Sequence, residues 1–219
     1  MEGLRTMDRR TAERVVVTPV RDRCELDRVY RLVHDAYLEA GYISPQPGRR
    51  LIYCPHLDLA PETTAFVAKA GGEIVGTSTV TLDGPAGLHL DDEYPDEVAA
   101  VRREVRSLAS SWRLALKASA PERVYVLLGL IRANQQLLYG NGVQTCLFTL
   151  VQHFEPLYRR LFNARLIASK PLGHACTSEQ LLMFQCRTVL MRWDAESCPR
   201  RWFSNATDST ERSKHGGPI

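Results

Sequence analysis

Residues 107–162 read SLASSWRLALKASAPERVYVLLGLIRANQQLLYGNGVQTCLFTLVQHFEPLYRRLF, and their pattern decides the fold. The run WRLALK at 112–117 is short and mostly apolar, as a buried strand is. From 122 to 139, Val126, Leu127, Leu130, Ile131, Leu137 and Leu138 recur at three- and four-residue steps, which predicts a helix with one apolar face. Gly140, Asn141 and Gly142 stop it with residue types that tolerate left-handed dihedrals. A second buried strand is predicted at 143–150, holding Cys146 and Phe148, and EPLYRRLF at 155–162 predicts a short helix with Tyr158 in its middle. A right-handed crossover of this kind makes the two strands parallel neighbours. Ligands in such sheets favour crevices at strand ends.

Working outward, RVVVTPV at 14–20 predicts a strand. Residues 24–40 predict an amphipathic helix, with Leu26, Val29, Tyr30, Val33, Tyr37 and Leu38 at helical spacing and Gly41 ending it. Residues 42–58 are rich in Pro and Gly and carry aromatics, the makeup of a lid or pocket wall. Residues 63–82 read as a hairpin turning on Gly71-Gly72. A loop follows at 84–92, then a helix at 96–108 with Arg102, Arg103 and Arg106 exposed. Further strands are expected at 165–169 and 181–193. One α/β domain is expected over 14–193, between disordered tails at 1–13 and 194–219, the second polar and small in composition.

A net charge of +3 over 219 residues is too small to argue for a nucleic-acid partner, though it permits local basic patches. Cys24, Cys54, Cys146, Cys176, Cys186 and Cys198 form no CxxC pair, which favours reduced, buried thiols over disulfides or a metal site. No apolar run is long enough to span a bilayer, and the start MEGLRTMDRR is not a signal peptide. The expectation is a cytoplasmic monomer without stable membrane insertion.

The order strand, helix, hairpin, strand, helix, strand, helix, strand, strand resembles the GNAT acyltransferase fold. More specific words are RLVHDAYLEAGYI at 31–43, TTAFVA at 63–68, GGEIVGTSTVTLDGPAGLHLDDEYPDEVAAVRR at 71–103 and SLASSWRLAL at 107–116. These resemble the N-acyl amino acid synthases of the long-chain N-acyl-L-tyrosine type, GNAT relatives of the acyl-homoserine-lactone synthases. The resemblance implies a central mixed, mostly antiparallel sheet, splayed between its fourth and fifth strands and flanked by helices. It also implies transfer of a long-chain fatty acyl group from an acyl carrier protein thioester to the α-amine of an amino acid, L-tyrosine, by direct amine attack. The acyl-phosphopantetheine of the carrier is then the donor, with no tightly bound cofactor and no metal.

Such a transfer needs a proton acceptor, donors for the developing oxyanion and an acid for the departing thiolate. The strand at 111–117 is expected to supply backbone donors. By resemblance, Tyr158 is the acid or a hydrogen-bond donor to sulfur; a core tyrosine is the competing reading. His153, just past a strand end, is either a base or structural. Relatives carry a Glu about where Ser110 stands, three residues before Arg113. Serine is far too weakly basic to replace it, so Ser110 lines the site, and the proton acceptor is either a water activated by several weak groups or a carboxylate from elsewhere, with Glu104 and Asp58 as candidates. Arg113 suits a bidentate grip on the amino acid carboxylate, with Arg106 as competitor and an internal salt bridge as the alternative. Trp112, Leu114, Ala115, Tyr37 and Phe148 complete the expected substrate-binding set, and Leu127, Leu130, Met183 and Phe184 are available for an acyl slot.

CoA-dependent GNAT enzymes place a Q/R-x-x-G-x-G/A loop after the fourth strand to cradle pyrophosphate. Here the junction reads KASAPERVY, without glycine, which favours a carrier-protein donor. Arg159, Arg160 and Arg132, with Arg165 and Lys170, are the expected landing patch for that acidic partner. Two other readings stay open: a CoA-dependent N-acetyltransferase of a small amine, and a non-catalytic acyl-binding GNAT domain.

Overall fold

The computed structural model describes residues 15–117, 123–171 and 187–197. Within them, seven strands form one sheet: β1 (Val15–Pro19), β2 (Thr63–Ala70), β3 (Glu73–Leu82), β4 (Leu108–Leu116), β5 (Thr145–Val151), β6 (Arg165–Pro171) and β7 (Arg187–Asp194). Their order is β1-β2-β3-β4-β5-β7-β6, and every neighbouring pair is antiparallel except β4–β5. Four helices flank the sheet: α1 (Arg23–Glu39), α2 (Pro95–Glu104), α3 (Arg123–Gly140) and α4 (Glu155–Phe162). Among the described residues, no helix is long and apolar enough to cross a membrane.

Local chemistry explains the boundaries. The Asp22 carboxylate accepts the Glu25 N–H at 2.8 Å and caps α1, an interaction typically worth ~1 kcal/mol. Gly71 and Gly72 have φ of 58° and 85°, and this pair of positive values gives the turn the twist a two-residue hairpin needs. Packing then assigns the helices to faces. In β4, Leu108 packs with α2 residues Val98 and Val101, whereas Ala109 packs with Leu138 of α3 and Phe162 of α4. Successive strand residues point to opposite faces, so α2 lies across the sheet from α3 and α4. Further along, Ala115 joins Val29 and Val33 of α1, while Leu114 joins Val126 and Leu130 of α3.

Several expected boundaries shift. β4 begins at Leu108, four residues before the apolar run, because Ser110 and Ser111 find buried partners for their hydroxyls and so tolerate the sheet interior. α2 stops at Glu104, since Val105 is already extended and Leu108 belongs to the sheet. Arg102 is not a solvated residue: it binds both oxygens of Asp83 and both of Asp91 at 2.6–2.8 Å, tying α2 to the preceding loop. β5 starts at Thr145, and β7 ends at Asp194 before a 3₁₀ turn at Ala195–Ser197. Cys54 and Cys146 are buried free thiols, whereas Cys24 is exposed. The tail at 1–13, most of the tail at 194–219, the first half of the strand expected at 181–193, Cys176, Cys186, Cys198, Met183, Phe184 and residues 118–122 of the glycine-free junction lie outside the described residues.

Residues 42–58 form a wall rather than a free loop. The Gln46 N–H donates to His34 Nε2 at 3.0 Å, Arg49 pairs with Asp35, Arg50 pairs with Asp27, and the Leu51 N–H donates to the Tyr30 carbonyl. The 3₁₀ turn Leu57–Leu59 at its end pushes Leu57 against Cys54 and Trp112.

Candidate active site

Parallel pairing of β4 with β5 runs only from Leu108–Ser111 against Thr145–Phe148. Beyond it β4 continues to Leu116 on β3, and β5 continues to Val151 on β7, with no ladder between them. The facing edges of the two strands therefore part in mid-sheet. Backbone groups of β4 at 112–116 border the opening, where amide donors can meet a developing oxyanion. A β-bulge marks the same place. Thr77 opposes Ala115 while Thr79 opposes Trp112, so β4 carries one extra residue, and Arg113 takes a left-handed φ of 55°. A non-glycine residue held there costs on the order of 1–3 kcal/mol, and such strain clusters at functional sites.

The bulge brings Arg113 alongside Trp112, with the guanidinium carbon 4.1 Å from the indole ring centre and 5.5 Å from that of Tyr30. The Arg113 side chain is only 2% exposed and its Nη2 donates to Asp58 Oδ1. The other Asp58 oxygen accepts the Tyr30 hydroxyl at 2.7 Å. Among the described residues, Arg113 Nε and Nη1 are buried without a partner. The expected internal salt bridge thus exists, and it leaves two guanidinium nitrogens for something else. The Asp58 carboxylate has an oxygen on each of its two donors.

On the same face, Ser110 is fully buried and its Oγ lies 3.0 Å from His89 Nδ1. The imidazole stacks on Trp112 at 5.3 Å, and its Nε2 has no partner among the described residues. Burial pushes the His89 pKa down to about 3, so the ring is neutral at neutral pH. Sequence reading treated 84–92 only as a loop and missed His89. The available signal was a titratable ring inside the phrase GLHLDD, in the stretch that carries the family resemblance.

Across the sheet, Asn134 of α3 donates through Nδ2 to Ser78 Oγ at 2.7 Å and Ser111 Oγ at 3.1 Å, while its own Oδ1 is buried and unpartnered among the described residues. This bridge holds α3 to β3 and β4 where the strands begin to part. Tyr158 is half-buried between Phe148 at 5.4 Å and Phe162 at 5.5 Å, with its pKa raised by desolvation. Tyr37 of α1 has its pKa pushed up to about 12, mainly by burial, with Tyr53, Arg113 and Tyr158 close enough to contribute. The opening thus has tyrosines on both sides.

The other candidates are more exposed or already paired. His153 is exposed on a 3₁₀ turn against Phe154. Arg106 is exposed before β4 begins, seven residues from Arg113 at the bulge, and its backbone N–H donates to the Gln144 side chain. Glu104 is exposed and paired with Arg192. Arg132 and Arg160 are exposed, Arg159 pairs with Glu155 at 3.0 Å, and Arg165 pairs with Asp194 at 2.6 Å. Lys170 turns inward, donating to the Glu93 carbonyl and lying 4.3 Å from the Tyr94 ring centre.

Solved structures share this fold. The chain is similar to FeeM, an N-acyl amino acid synthase from uncultured soil microbes, at 20% identity and a TM-score of 0.68 over 87% of this chain and 94% of that one. It is similar to the acyl-homoserine-lactone synthase LasI at 17% identity and 0.58, over 82% and 89%. An agmatine N-acetyltransferase shares the fold at 13% identity and 0.59, over 83% and 99%. No curated protein matches the sequence. The model of the family described as N-acyl amino acid synthase FeeM matches residues 28–184, a span that holds both edges of the β4–β5 opening, Asp58, His89 and Arg113. The chain therefore belongs to the FeeM family of N-acyl amino acid synthases, acyltransferases built on a GNAT-like fold.

Proposed function

We propose that this chain transfers a long-chain fatty acyl group from the phosphopantetheine thioester of an acyl carrier protein to the α-amine of L-tyrosine. The single observation that carries this reading is the parting of β4 from β5 beside a buried arginine with two unpartnered nitrogens. A thioester laid in the opening meets the amides of β4, and a carboxylate on Arg113 satisfies donors that otherwise stay desolvated and unpaired. The amine and the thioester are then neighbours, and attack needs no covalent enzyme intermediate.

Tyr158 faces the departing sulfur in this arrangement and gives it a proton or a hydrogen bond. An aromatic substrate side chain suits a wall formed by Tyr30, Tyr37, Tyr53 and Trp112. The carrier protein, being acidic, docks over the exposed Arg132, Arg159 and Arg160. The test is direct: purified chain, long-chain acyl carrier protein and L-tyrosine, with products identified by mass spectrometry and acetyl-CoA as the competing donor. N-acyl tyrosine formed from the carrier thioester is the expected result. Turnover of acetyl-CoA on small amines without any long-chain product overturns the reading.

A further inference from the structure

We infer that His89 accepts the amine proton during acyl transfer, with Ser110 holding its imidazole so that the lone pair sits on Nε2. The inference rests on the acyl-transfer reading above. It begins from an elimination among the groups near the opening. Ser110 is no base, both Asp58 oxygens are engaged by Tyr30 and Arg113, and Glu104 is exposed and spent on Arg192. Tyr158 is needed as an acid. Of the groups that remain, His89 is the one stacked on Trp112 beside Arg113, and its arrangement suits the task.

Nδ1 and Ser110 Oγ are 3.0 Å apart; when Nδ1–H donates to that oxygen, the ring presents its second nitrogen as an acceptor. That nitrogen is buried, without a partner among the described residues, on a residue only 7% exposed. A buried polar atom left unpaired costs free energy unless a ligand supplies the missing bond. Both the imidazole and the Arg113 guanidinium lie on the Trp112 indole, at 5.3 and 4.1 Å, so one ring joins the carboxylate anchor to the proton acceptor. The charged groups that act on His89 are Asp91 of its own loop and Arg113 of β4, which oppose each other. Burial keeps the ring neutral, so the lone pair is free in the resting state, and the base it makes is a weak one that relies on placement beside the amine.

The step balances as follows. The amine nitrogen bonds to the thioester carbonyl carbon, the C–S bond breaks, and the N–H proton passes to Nε2. The thiolate takes a proton from Tyr158, and the imidazolium, unstable where it is buried, returns its proton through water to the Tyr158 phenolate. The products are an amide and a free thiol.

The test compares wild type, His89→Gln and His89→Gly in thiol release from long-chain acyl carrier protein with L-tyrosine. His89→Gln should lower kcat about 100-fold, the scale of a lost general base, with KM for tyrosine nearly unchanged. Free imidazole should restore His89→Gly, which a merely structural role would not allow. A wild type that turns over while His89→Gln keeps kcat within about threefold, or while imidazole leaves a folded His89→Gly unmoved, overturns the inference alone. A wild type that forms no acyl amino acid overturns the reading beneath it, and the inference with it.

Discussion

Asp58 and Arg113 stand 55 residues apart in the chain and meet as an ion pair whose side chains are 3% and 2% exposed. The pair fastens the wall at 42–58 to the bulged centre of β4. A buried pair is weak evidence of net stability, because desolvation offsets most of the attraction, but removing one partner strands the other. Asp58→Ala should therefore lower unfolding stability by about 3–5 kcal/mol in urea titration. A change below ~1 kcal/mol would mean that water already reaches the guanidinium.

Arg113→Lys separates charge from geometry. Lysine keeps the charge and loses the planar fork, so a carboxylate gripped by two nitrogens loses one of them. KM for the amino acid should rise at least about tenfold, the worth of a charge-assisted hydrogen bond of ~1.5 kcal/mol, with kcat less affected. Steady-state kinetics at saturating acyl donor read this. An unchanged KM removes Arg113 from the amino acid site.

For Tyr158 the hydroxyl is separable from the ring. Packing on Phe148 and Phe162 survives in Tyr158→Phe, so the melting temperature should stay within a few degrees of wild type. If the hydroxyl serves the leaving thiolate, kcat should fall roughly 10- to 100-fold, at the low end for a group whose leaving thiolate is already stable. Equal kcat values would make Tyr158 a packing residue.

The sheet and its parallel pair were readable because apolar runs and glycine stops are local signals: Gly71-Gly72 and Gly142 each mark a turn through their own dihedrals. The start of β4 was not, since Ser110 and Ser111 look like loop residues until His89 and Asn134 arrive from other elements. Arg113 could be singled out from its apolar strand, yet its partner could not, because loop closure over 55 residues leaves no spacing rule. His89 was invisible for the opposite reason. A lone histidine in a loop carries no periodicity, and only its burial against Trp112 gives it chemistry.

The same histidine sets a pH dependence. An unfolded His titrates near 6.5, whereas burial holds the folded His89 at about 3. Between those values the unfolded chain binds a proton that the folded chain does not, so stability rises with pH there. The contribution is complete above pH 6.5 and is lost as pH falls toward 3, by about 2 kcal/mol from pH 6.5 to 5. Glu93, whose carboxyl is pushed upward by burial, acts with the opposite sign, so the informative quantity is the difference between wild type and His89→Gln. Parallel stability curves for the two over pH 5–7 would show that His89 is solvated.

Gly76 tests how tightly α3 is held over β3. A Cβ at this position would sit 2.7 Å from Val126 Cγ1 and 2.9 Å from Leu116 Cδ2. Val126 is fully buried and has only one side-chain torsion, so the strain passes to the helix backbone. Gly76→Ala should then cost about 1–3 kcal/mol, lowering Tm by roughly 2–4 °C for each. The displacement also reaches the site, because Asn134 sits two turns further along the same helix and bonds to Ser78 and Ser111. Activity should fall further than the loss of folded protein accounts for when both are measured well below Tm. Should Tm hold and activity persist, Val126 and Leu116 have room to move, and α3 is not what fixes the strand edge at the opening.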